Sequence, residues 1–127
     1  MKIFVTIHDE GMGFFKHWNL FVDGEEPIAF QALGSDKNFR FDARNLDTRN
    51  SRSVVEVLLI CDVDASKYDA IKTTAENIPI RNDIPVWNCQ DYVLDLLRKL
   101  VEEGIIMEDD EYKEKYKKLC SKLDGLV

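Results

Sequence analysis

The sequence predicts an α+β fold: an antiparallel β-sheet packed against a helix that opens with a cysteine, plus a C-terminal helix. Three observations carry this. The first half of the chain holds short β-branched and aromatic runs parted by polar turns. From Cys89 onward, Cys89, Tyr92, Val93, Leu96, Leu97, Leu100 and Val101 recur three and four apart, on one helical face. Near the end, Glu108, Asp109, Asp110 and Glu111 precede Lys113, Lys115, Lys117, Lys118 and Lys122, an order that complements a helix dipole.

The elements follow in order. Lys2 to His8 reads as a strand, nearly continuous in apolar residues and therefore central. Asp9 to Gly13 breaks it with two glycines, a plausible rim for a cleft. Phe14 to Val22 and Ile28 to Leu33 read as an antiparallel hairpin, and the Asp23-Gly24 pair in its turn supports φ > 0. Gly34 to Asn38 is a polar loop, Phe39 to Asp42 a short alternating strand, and Asn45 to Arg52 an exposed loop. Ser53 to Val63 is a buried strand by composition, with Cys61 as a core residue. Ser66 and Asp69 resemble a capping box for a helix over 66–77. Two Ile-Pro pairs, at 78–79 and 84–85, bracket an extended connection. Asn88 is the N-cap of the Cys89 helix, which stops near Gly104. A last helix over 109–123 docks through Tyr112, Tyr116, Leu119 and Leu123, with Cys120 packing beside them.

Composition narrows the function. The chain has 127 residues and 45% hydrophobic content, which suits a single domain. Its net charge of -7 argues against nucleic acid or an anionic membrane as the main partner. No segment reads as a signal peptide or an integral membrane span. The three cysteines lack zinc-knuckle spacing, so no metal or other cofactor is expected. Free thiols suit a reducing, cytoplasmic compartment.

Within this frame Cys89 is the candidate nucleophile. A helix N-terminus lowers a thiol's pKa and favours the thiolate; the plainer reading is a small buried residue that starts a core helix. A thiol needs a base, and the chain has two histidines. His17 sits in the apolar strand His17-Trp18-Asn19-Leu20-Phe21-Val22, where an imidazole is costly without partners. Gln31 is the isolated polar residue of the next strand, in Ile28-Ala29-Phe30-Gln31. The two either share a site or satisfy each other in the core. His8 ends the first strand and is expected to stand apart from the thiol.

The His17-Trp18 strand, Gln31 on the strand after it, and Asn88-Cys89-Gln90-Asp91-Tyr92-Val93 opening a helix much later resemble the lecithin retinol acyltransferase-like thiol enzymes. These are a circularly permuted branch of the NlpC-type papain-like superfamily. The resemblance covers residues 1–104 and leaves 105–127 as a helical extension. It implies Cys89 as nucleophile, His17 as general base, and Gln31 where family members carry a second histidine or another polar orienting residue. The hairpin turn here is about two residues longer than the family's. The implied activity is a cysteine hydrolase acting on an amide or thioester bond through a thioester acyl-enzyme, with a peptide or protein conjugate as substrate. A lipid acyltransferase or phospholipase on the same machinery is the first alternative, although a lysine-rich helix stands where acyltransferase members often carry a hydrophobic anchor. A non-catalytic binding module that keeps the fold is the second.

Overall fold

The computed structural model describes residues 1–10 and 16–123. Five strands form one sheet: β1 (Lys2–His8), β2 (His17–Asp23), β3 (Pro27–Leu33), β4 (Arg40–Arg44) and β5 (Val54–Asp62). Their order is β4-β3-β2-β1-β5, and every neighbouring pair is antiparallel. Three helices follow: α1 (Tyr68–Asn77), α2 (Cys89–Glu102) and α3 (Asp110–Cys120). The fold is α+β, as the residue pattern predicts. Phe14, Phe15 and most of the loop expected over Asp9–Gly13 lie outside the described residues.

Alternation gives the sheet two unlike faces. Ile3, Val5, Ile7, Trp18, Leu20, Val22, Ile28, Phe30 and Ala32 point into one core with Tyr92, Val93, Leu96, Leu97 and Leu100 of α2. Packing this stripe removes the apolar side chains of both elements from water, which is the main stabilising term. Helix α2 lies against β2 and β3, α1 against α2, and α3 against β5. The Tyr92 hydroxyl donates to the Ala75 carbonyl of α1 at 2.9 Å, so the largest side chain on the α2 stripe is buried without an orphaned O–H. The helix ends as expected: Gly104 has φ 72, and the Ile105 N–H donates to the Leu100 carbonyl at 2.9 Å.

Five expectations are corrected. Gly24 does not adopt positive φ. It is small for a steric reason, since a Cβ there would lie 3.0 Å from both Met1 Sδ and the Tyr68 ring. The segment 45–52 is not a plain exposed loop; Thr48–Asn50 form a 3-10 turn whose Thr48 is buried. β5 is an edge strand rather than a buried one. It leaves Val55, Val57 and Leu59 exposed at 52%, 41% and 38%, because it has β1 on one side and helix cover on one face only. Its apolar composition misled because composition does not reveal strand order. Asp64, not Ser66, caps the chain entering α1, accepting from the Ser66 N–H at 2.9 Å. On α3, Leu123 falls beyond the helix and is exposed, while Tyr112 and Leu119 are buried. Cys61 and Cys120 are half-buried and pack against the core.

Asn88 holds the start of α2 by a reciprocal pair of bonds. Its side chain accepts from the Gln90 N–H at 2.8 Å, and the Asp91 carboxylate accepts from the Asn88 N–H at 2.9 Å. Asn88→Ala should therefore lower unfolding stability by about 1 kcal/mol, with Asn88→Asp much closer to the native protein. Urea denaturation of the three proteins measures it.

Candidate active site

The thiol is placed by the way two strands part. Residue pairing between β2 and β3 runs only from Leu20–Phe30 to Asp23–Pro27, so the chain ahead of Leu20 has no β3 partner in the ladder. The first turn of α2 takes that place. Gln90 Nε2 donates to the Lys16 carbonyl at 2.8 Å, and Cys89 Sγ lies 3.8 Å from the same oxygen. The chain reaches this point through a strained residue. Val86, although β-branched, has φ 60; Asp36 Oδ1 holds its N–H at 3.1 Å and Asn88 Nδ2 its carbonyl at 3.2 Å. No sequence signal marks that strain.

Cys89 is the first residue of α2 and is 2% exposed. Burial pushes its thiol up to about 11, and the backbone N–H groups of Trp18, Cys89 and Gln90 pull the other way without prevailing. This corrects the expectation that the helix terminus favours the thiolate. The dipole of a helix start is a smaller effect here than loss of water.

His17 is half-buried at the start of β2. It shares a face with Asn19 and Phe21, opposite the face that Trp18, Leu20 and Val22 present to α2. Its Nε2 lies 2.6 Å from Gln31 Oε1, so the structure joins the two polar residues singled out on neighbouring strands. Gln31 Nε2 in turn donates to Asp42 Oδ2 at 2.8 Å, and Arg44 Nε donates to that oxygen at 2.9 Å. Asp42 is a participant that sequence reasoning missed. It is the residue opposite Gln31 in the β3–β4 register, and register was not readable from a five-residue strand. Among the described residues no hydrogen bond joins the thiol to the imidazole. The chain brings Cys89 to the backbone on both sides of His17, at Lys16 and Trp18.

His8 makes no hydrogen bond to the thiol among the described residues, but it lies beside the other imidazole. It is the cross-strand partner of His17, with ring centroids 6.2 Å apart. Thr6 Oγ1 lies 2.8 Å from its Nε2 and Ser53 Oγ 2.9 Å from its Nδ1. Asn19 and Thr48 extend this network through Thr6. Both imidazoles, with Gln31, Arg44, Leu46 and Ser53, line a cleft of about 230 Å³ on the face away from α2. A larger hollow of about 610 Å³ lies beside α2, lined by Ile78, Arg81, Asp95, Arg98 and Glu108, and includes neither Cys89 nor His17. Among the described residues, no group of three or more histidine, cysteine, aspartate or glutamate side chains is placed to hold a metal ion. No helix among them is long and apolar enough to cross a membrane.

Burial, and after it the neighbouring His17, lower the pKa of His8 below the usual 6.5, while Glu10 opposes them. Folding thus favours neutral His8. Its contribution to stability is complete above about pH 6.5 and is lost as pH falls through the lower folded value. Unfolding free energy should fall on acidification below that pH, and His8→Gln should flatten this part of the profile. Denaturation midpoints taken across pH 4.5–7.5 (~0.5 steps) test both.

Comparison with known proteins adds a family and nothing further. No curated protein and no solved structure matches the chain. One family of unknown function matches residues 3–107, which takes in the sheet from Ile3 onward, α1, α2, both histidines and Cys89. The chain therefore belongs to that family, DUF6540.

Proposed function

We propose that this protein is a cysteine hydrolase of the permuted papain-like kind, with Cys89 as nucleophile, His17 as general base and Gln31 orienting the imidazole. The observation that carries the reading is the 2.6 Å bond between His17 Nε2 and Gln31 Oε1, on the strand whose backbone receives the Cys89 thiol. With Nε2 engaged, Nδ1 is the nitrogen left to accept a proton. The thiol is protonated at rest, because burial raises it. The chemistry is thus general-base attack rather than a standing ion pair.

As Cys89 Sγ bonds to the acyl carbon, its proton passes to His17. The imidazolium then returns that proton to the departing amine or thiol as the C–N or C–S bond breaks, leaving a thioester. Water attacks the thioester, His17 takes a proton from it, and the regenerated thiol recovers that proton. The positive end of α2 favours the negative charge that develops on the acyl oxygen. A peptide or protein conjugate is the leading substrate class, and a lipid acyl ester is the alternative on the same machinery. A second reading, a binding module without catalysis, is favoured by the buried thiol and by the lack of a thiol–imidazole hydrogen bond among the described residues.

Incubation with acyl electrophiles built on a peptide, a ubiquitin-like protein and a lipid separates these readings. Covalent capture is expected at Cys89, lost in Cys89→Ser. His17→Ala should slow it by on the order of 10²–10⁴-fold, the usual contribution of a positioned base. A folded protein that no electrophile captures at Cys89 would be the binding module.

A further inference from the structure

We propose that Asp42 is a positioning residue: by fixing which end of the Gln31 amide faces His17, it sets which imidazole nitrogen carries the proton. The idea deepens the reading of His17 as a base, but its evidence is the hydrogen-bond geometry of three adjacent strands. A glutamine amide has one end that accepts and one that only donates. Gln31 stands between His17, 2.6 Å from one end, and Asp42 Oδ2, 2.8 Å from the other. Arg44 has no acceptor, and its Nε donates to the same Oδ2 at 2.9 Å, so that oxygen is accepting. Turning the amide over would set two acceptors against each other on β3 and β4.

Asp42 cannot easily avoid that clash. It faces Gln31 directly in the strand register, and Arg44 holds it from two residues further along β4. With Nε2 of Gln31 committed to Asp42, Oε1 must face His17. Oε1 can only accept, so His17 Nε2 must carry a hydrogen. A neutral imidazole carries one ring N–H, which leaves the Nδ1 lone pair free to take a proton. Without Asp42 the amide can turn and donate to Nε2, and the hydrogen then moves to Nδ1. A histidine in the wrong tautomer is a poor base: in the serine-protease triad that error costs about 10⁴ in turnover.

The test reads the tautomer and the thiol separately. Nitrogen-15 NMR of histidine-labelled protein distinguishes Nε2–H from Nδ1–H, and His8→Gln identifies the His17 signal between the two imidazoles. Native His17 should be the Nε2–H form. In Asp42→Asn, whose side chain can donate as well as accept, the Nδ1–H form should appear, and capture of Cys89 by the best acyl electrophile should slow roughly tenfold or more. Asp42→Glu, still acceptor-only, should keep the Nε2–H form and so controls for disturbance of β4; circular dichroism checks folding of each. An Nδ1–H form in the native protein, or an Nε2–H form undiminished in folded Asp42→Asn, overturns the proposal. A tautomer that shifts as expected while Cys89 capture is unchanged upholds the role of Asp42 and sinks the role of His17 as base for Cys89.

Discussion

A carbonyl partly withdrawn from water needs a donor, and the half-buried carbonyl of Lys16 meets Gln90 and Cys89 where the β2–β3 ladder has ended. The helix that follows the Ile-Pro segments answers this need with its first turn. Gln90 supplies a full-strength amide bond, and Cys89 fills the remaining space with a small polarizable side chain. The capping box at Asn88 and Asp91 and the strained backbone at Val86 fix the angle at which the helix arrives. The same requirement that closes the sheet therefore delivers a thiol to the strand that carries a histidine. This explains why Cys89 is so deeply buried, and why its thiol is protonated at rest.

The outward face of the sheet works by different physics. Its middle is polar: Thr6, His8, Asn19, Thr48 and Ser53 form one network, and His17, Gln31, Asp42 and Arg44 form a second. Beside them the rings of Phe4 and Phe21 are covered by the Arg49 guanidinium, 4.9 Å from each centroid. Asp47 grips that guanidinium at 2.7 Å and Asp23 at 3.4 Å. A planar cation suits this position because it stacks on aromatic faces while its edge still donates to carboxylates; an ammonium could not do both. The segment read as a loop is thus the cover of this face.

The sequence made the elements and the helix start legible because those depend on neighbours in the chain. Asn88 before the apolar stripe marks an N-cap, and the Glu/Asp-to-Lys order marks α3. The meeting of His17 and Gln31 was also within reach, since a hairpin makes their strands adjacent and each strand holds one unaccompanied polar group. What depended on distant pairing was not legible. Asp42 was missed because the β3–β4 register is set across a loop. His8 was set aside because nothing local shows that the first strand lies between β2 and β5. The exposure of Val55, Val57 and Leu59 was missed for the same reason: a run of valines and leucines reads alike at the centre and at the edge of a sheet.

The interior place of β1, between β2 and the edge strand β5, has a consequence for how the chain reaches its native state. Its first strand makes a local hairpin with β2, but its other edge waits for β5, with Lys2 finally opposite Asp62. Closing so long a loop costs entropy before any contact offsets it, and topologies of this kind fold slowly. On the ribosome, His8 and His17 emerge long before the residues that enclose them. The partners that enclose the polar face, Thr48 and Ser53, lie far along the chain from His8, and the thiol lies further still. The histidines and the cysteine thus come from opposite ends of a long stretch of chain, and only the packing of α2 on β2 brings the thiol to the backbone beside His17.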